Sequence, residues 1–166
     1  MSRLEVEYNV FTVVTADGGP GSTDRPYDNG LVAATDPDGG TVAVIVTGLV
    51  DGEVQIAADL FPAEPAALDL TAWQDAAEVT LSWPGGPVRL LGADVVPMPE
   101  VALADYALPG EYLLRVAGRN RDDGEARTPD MPQEEYVVQM WPAHRAAAGT
   151  LKQTSAVGAM WRQGPP

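Results

Sequence analysis

Apolar and polar positions alternate with a period of two along most of the chain, the spacing that sends successive side chains to opposite faces of a β-strand. The clearest case follows the turn residues Leu108-Pro109-Gly110, where Tyr112, Leu114 and Val116 alternate with Leu113, Arg115 and Ala117. The pattern predicts that one set meets a core and the other meets solvent or a partner. It recurs with Tyr136, Val138 and Met140 against Val137, Gln139 and Trp141, until Pro142 removes a backbone donor. These two strands are expected to pair across the polar loop Asn120 to Gln133.

Further strand signals come earlier in the chain. Leu4 to Thr15 changes phase, from Leu4, Val6, Tyr8 and Val10 to Phe11, Val13 and Thr15, which implies a bulge or a switch of sheet. Gly30 to Thr35 and Thr41 to Val50 flank the turn residues Asp36-Pro37-Asp38-Gly39-Gly40 and read as a hairpin. Asp51-Gly52-Glu53 leads into Val54 to Phe61 and extends the hairpin to a meander. A third hairpin is predicted from Val79, Leu81 and Trp83, then Pro84-Gly85-Gly86-Pro87, then Val88 to Leu91. Val95 to Glu100 reads as a proline-interrupted crossing, and Leu68 to Ala77, within Pro62 to Ala77, as a short helix. The expected fold is a single all-β domain, an antiparallel β-sandwich of about eight strands with a small helical insertion. It would span residues 1–142, with a C-terminal tail over 143–166 that is docked or disordered.

Charge changes the picture. The formal net charge is −14. Residues 1–111 hold eighteen acids and three bases, whereas residues 112–166 hold six acids and seven bases. A negative field repels nucleic-acid phosphates and anionic membranes and attracts basic protein surfaces, so direct nucleic-acid binding is not expected. The same composition, rich in Ala, Gly, Val, Pro and Asp with one lysine among ten cations, is that of GC-rich coding, where acidity also serves solubility. The tail carries His144, Arg145, Lys152 and Arg162 and no acid, with Met160 and Trp161 as an apolar anchor for the body or a partner. No cysteine is present, which excludes disulfides and thiolate chemistry. The first residues lack a signal-peptide pattern, and a cytoplasmic location is expected.

Catalytic motifs are sparse. The single histidine, His144, cannot by itself build a serine triad or a histidine-rich zinc site. Gly18-Gly19-Pro20-Gly21-Ser22 lacks the Gly-Lys-Ser/Thr ending of a phosphate loop, and an acid is missing where a calcium loop beginning at Asp36 would need it, at Thr47. Trp73 with Asp75 and Glu78 is the one local set with the flavour of a glycosidase site. The reading is non-catalytic, without metal or cofactor.

Tyr8-Asn-Val-Phe11-Thr-Val-Val14, Asn29-Gly-Leu-Val-Ala-Ala34, Leu108-Pro-Gly-Glu-Tyr112 and Glu135-Tyr-Val-Val138 occur in the order seen in the bacterial competence nuclease-inhibitor family. The chain resembles that family from about Leu4 to Pro142. The resemblance implies a small soluble protein that binds and silences a DNA-entry nuclease, and it carries over no functional residue position by position. A cleft that holds phosphates is positive and would also accept a carboxylate array. The contact residues expected on that basis are Asp17, Asp24 and Asp28 in the Ala16 to Asn29 loop, Asp36 and Asp38 in the following turn, Tyr27 as an aromatic anchor, and Trp161 in the tail. The alternatives are an assembly module that uses a sheet edge or the tail to form an oligomer, and a small-molecule-binding sandwich.

Overall fold

A computed structural model describes residues 1–15, 28–35, 40–92, 100–143 and 148–164, with Glu100 described by its backbone alone. Two sheets stack face to face. The first has six strands in the order β1 (Ser2–Val6), β5 (Gly52–Leu60), β10 (Glu135–Pro142), β9 (Gly110–Arg119), β6 (Asp75–Trp83) and β11 (Gly149–Gln153). The second has five, in the order β3 (Val32–Ala34), β4 (Thr41–Val46), β2 (Val10–Val14), β7 (Gly86–Leu91) and β8 (Glu100–Ala107).

The all-β expectation holds in this coarse form, and its details are corrected. Eleven strands are described instead of about eight, and the six-stranded sheet is mixed, because β10 runs parallel to β5. The pairing of β9 with β10 is antiparallel, with Val138 opposite Val116, as the alternation predicts. The expected hairpin of β3 and β4 is also present. The other two predicted hairpins are not. β4 lies in one sheet and β5 in the other, and β6 and β7 are likewise divided. Each tight turn carries the chain from one sheet to the other, so these consecutive strands do not share a ladder.

Phe11, Val13, Ile45, Val88 and Leu90 from one sheet meet Leu4, Val54, Ile56, Leu81, Leu114, Val116, Tyr136 and Val138 from the other in one buried cluster. Phe11 and Tyr136 meet edge to face, with ring centroids 5.2 Å apart. Leu113, Arg115 and Ala117, expected to face solvent or a partner, are buried as well. The reason is the crossover from β5 to β6, which must pass over β10 and β9. Phe61 packs with Leu113, Trp141 and Ala143. The Arg115 guanidinium lies 4.8 Å from the Trp141 ring centre, bonds Glu78 at 2.7 Å and reaches the Ala66 carbonyl at 3.4 Å.

No helix forms at Leu68 to Ala77. Leu70–Ala72 makes one 3-10 turn capped by the Asp69 side chain, and β6 begins at Asp75. Pro62 and Pro65 suit an extended cover better than helical turns. The one α-helix among the described elements is α1 (Ala156–Arg162), which lies in the tail. Ahead of it, β11 adds to the edge of the six-stranded sheet beside β6. Deleting residues 148–166 is expected to lower the melting temperature by several degrees, since it strips β6 of one of its two neighbours and Asp75 of three donors. Calorimetry checks this; an unchanged melt would mean that the strand adds nothing.

Candidate functional site

The β1–β2 turn, the β4–β5 turn, the start of β6 and the β9–β10 connection share one end of the sandwich. Strand register places Glu135 opposite Gln55, and Asp75 opposite Gly118. Beneath this end lies a buried network of polar side chains.

Arg121 is wholly buried at its centre. Its Nη1 donates to Asp75, and its Nη2 to the carbonyls of Gly30 at 3.1 Å and Val46 at 3.0 Å. Asp75 also accepts from the Ser155 hydroxyl and from the amides of Thr154 at 2.9 Å and Ser155 at 3.1 Å, which ties the tail to the body. On the other flank, buried Glu134 accepts from the amides of Gly48 at 2.7 Å and Leu49 at 2.9 Å and from the Tyr136 hydroxyl.

Burial pushes the Asp75 carboxyl up, but Arg121, Ser155 and Thr154 together outweigh it, and the carboxyl settles below its ordinary value. For Glu134 burial prevails over Tyr136, the two amides and Arg121, and the carboxyl sits above its ordinary value. Burial and the neighbouring Glu134 hold the Tyr136 phenol well above its usual range, so its hydroxyl stays a donor.

This network fixes the turns above it. A Cβ on Gly48 would meet the Arg121 carbonyl oxygen at 1.8 Å, a backbone atom that cannot step aside. Gly48→Ala is therefore expected to destabilise the fold by about 2–4 kcal/mol, measured by denaturant titration. A loss within about 0.5 kcal/mol would show that the two loops separate freely.

Above Gly48, the β4–β5 turn is laced to the β1–β2 turn. The Tyr8 amide donates to Asp51 Oδ1 at 3.2 Å, and the Asn9 amide to the Val50 carbonyl at 2.9 Å. The Val50 amide donates in turn to Glu125 Oε1 at 3.1 Å. Tyr8 and Asn9 both have positive φ, 55° and 61°, as the centre of a two-residue reversal closed by the Val10 amide on the Glu7 carbonyl. Asparagine tolerates that conformation; tyrosine pays for it with strain of about 1 kcal/mol. Tyr8 is nonetheless 75 % exposed. Tyr8→Asn should then raise the melting temperature by about 2–4 °C in calorimetry, and a lower value would show that the ring stabilises the turn.

The acidic balance of the chain is carried to its surface. Among the described residues twelve carboxylates are exposed, and Arg3 is the one exposed cation. Arg3 lies 3.3 Å from Glu53, which also faces Glu5 directly across the β1–β5 pair. The other described cations are buried or half-buried, and most have a partner on the protein: Arg119 pairs with Glu135 at 2.6 Å and lies 5.2 Å from the Trp73 ring centre, Lys152 donates to the Leu70 carbonyl, Arg89 to that of Ala104 and Arg127 to that of Asn120.

Of the residues expected to contact a partner, Asp17, Asp24, Tyr27, Asp36 and Asp38 lie outside the described residues. Asp28 is exposed, beside a buried Asn29 whose side chain accepts from the amides of Leu31 and Val32. Trp161 is half-buried on α1, whose Gly158 closely approaches Gly30. Register sets Asp28 and the tail at the same end of the sandwich as Tyr8, on the opposite flank. The Trp73, Asp75 and Glu78 set does not converge, since Asp75 is bound to Arg121 and Glu78 to Arg115. No three His, Asp or Glu side chains among the described residues gather to hold a metal, and no described helix is long and apolar enough to cross a membrane. The chain matches no family model, no curated protein and no solved structure.

Proposed function

We propose that the protein is a non-catalytic acidic binding protein that docks on and blocks a basic partner, a nuclease being the partner that the resemblance to the competence inhibitors suggests. One observation carries this reading: among the described residues twelve carboxylates stand exposed against one exposed cation, Arg3. Solubility alone does not require that sorting. A surface of this kind steers a positively charged cleft toward itself and competes with phosphates for it.

Capture from the source cell at low and high ionic strength tests the proposal. The expected result is a basic protein that elutes with salt and whose cleavage of nucleic acid falls when the acidic protein is added back. Recovery of salt-insensitive partners alone would contradict it. The assembly reading keeps a foothold at the opposite end of the sandwich, where Tyr106 and Leu108 are 61 % and 68 % exposed beside Phe61, Pro62 and Pro142. Light scattering distinguishes it, because a stable oligomer at high salt would favour that groove as a self-association surface.

A further inference from the structure

We propose that the surface formed by Tyr8, Val50 and Met131 with Asp51, Glu53 and Glu125 is the docking surface for an arginine-bearing segment of the basic partner. This inference rests on the acidic-binding reading above and adds the place and the chemistry of recognition. The three apolar side chains are 75 %, 37 % and 41 % exposed and belong to turns and loops that the sequence separates widely. Hydrogen bonds from the Tyr8 amide to Asp51, from the Asn9 amide to the Val50 carbonyl and from the Val50 amide to Glu125 hold the Tyr8 and Val50 turns and Glu125 together, and Met131 lines a cleft with Asp51 and Glu125.

The carboxylates supply the complementary charge. Asp51 and Glu125 each use one oxygen to accept a backbone amide, which leaves the second oxygen of each without a partner among the described residues. A cleft of about 360 Å³ lies between the β4–β5 turn and the 124–133 segment, lined by both acids and by Met131. That space suits one long cationic side chain, its methylenes along Met131 and its charge between the carboxylates. Arg127, the cation at this cleft, is folded inward on the Asn120 carbonyl and pairs loosely with Asp123 at 3.9 Å. The exposed Tyr8 ring offers a face to a guanidinium, a contact that arginine makes better than lysine.

The test uses the whole protein and a short peptide of alternating arginine and glycine, with its lysine counterpart, followed by amide shift mapping and titration calorimetry. Shifts are expected to concentrate at residues 5–9, 49–53 and 124–133, with the arginine peptide bound more tightly than the lysine one. The double variant Asp51→Asn, Glu125→Gln keeps acceptors for both amides and should weaken binding about tenfold. Tyr8→Asn should weaken it about threefold, while Tyr8→Phe and Tyr106→Asn leave it unchanged. Shifts spread over every acidic face, shifts at residues 60–62 and 106–112, or a double variant that binds as tightly as the parent would each overturn this surface and leave the acidic-binding reading standing. An absence of binding by either peptide at low salt would overturn both.

Discussion

Replacing Arg121 by alanine is expected to cost about 3–5 kcal/mol, the range for removing one partner of a buried ion pair. Asp75 would lose its buried counter-ion, and the carbonyls of Gly30 and Val46 would lose a donor. This side chain ties together β4, the entry to β3 and, by way of Asp75, the tail. The variant should therefore unfold at much lower denaturant concentration, with early loss of the tail contacts seen by hydrogen exchange. Arg121→Lys should recover little, because one ammonium cannot reach Asp75 and both carbonyls with the geometry of a planar fork. A loss below about 1 kcal/mol for Arg121→Ala would mean that water replaces the guanidinium, and that the network does not organise this end of the fold.

Asp75→Asn should lose nearly as much at neutral pH, about 3 kcal/mol, and the loss should shrink on acidification. The folded-state pKa of Asp75 is depressed, so its contribution is fully present above the ordinary carboxylate value and disappears as pH falls through the folded one. Glu134 has the opposite sign. Its raised folded pKa makes its contribution greatest below the ordinary glutamate value, and that contribution declines as pH rises through the folded one. Denaturant titrations of both proteins across the acid range should show the curves converging below pH 3.8, the ordinary value for Asp75. Parallel curves would show that Asp75 does not exchange its proton with folding.

Sequence showed the strands better than it showed the sheets. β9 and β10 were legible because clean alternation runs into Pro142, and their pairing followed from the loop between them. The turns at Asp51-Gly52 and Pro84-Gly85 were legible as reversals too, but residues that reverse a chain do not specify whether the next strand pairs beside the last or crosses the core. The helix expectation failed because the segment from Phe61 to Trp73 is an extended cover, touching Leu113 and Trp141 through Phe61, Arg115 through the Ala66 carbonyl and Arg119 through Trp73, a need created by tertiary arrangement alone. Tyr8 was assigned to the phase of Leu4 and Val6, whereas its positive φ takes it out of the strand. Arg121 fell within the stretch Asn120 to Gln133 that reads as a solvated polar loop, and Glu134 stood at its edge, where the next strand begins. The one signal that could have marked them was an acid at the entry of each of two strands, Asp75 before Ala76-Ala77 and Glu134 before Tyr136.

Residues of the expected contact set that lie outside the described part can still be compared with the surface built around Tyr8. Substituting Asp17, Asp24, Asp28, Asp36 and Asp38 by Asn removes charge from the two segments expected from sequence, and substituting Asp51, Glu53 and Glu125 by their amides removes it from the turn end. The most direct measurement is the rate of association with the salt-eluted basic partner, followed across ionic strength for the parent and for both variants. The account predicts a fast, steeply salt-dependent rate for the parent and a slower rate with a flatter salt dependence when the turn-end carboxylates are amidated, dissociation changing less. A rate at low salt that is the same for the parent and both variants would contradict the claim that exposed carboxylates recruit the partner.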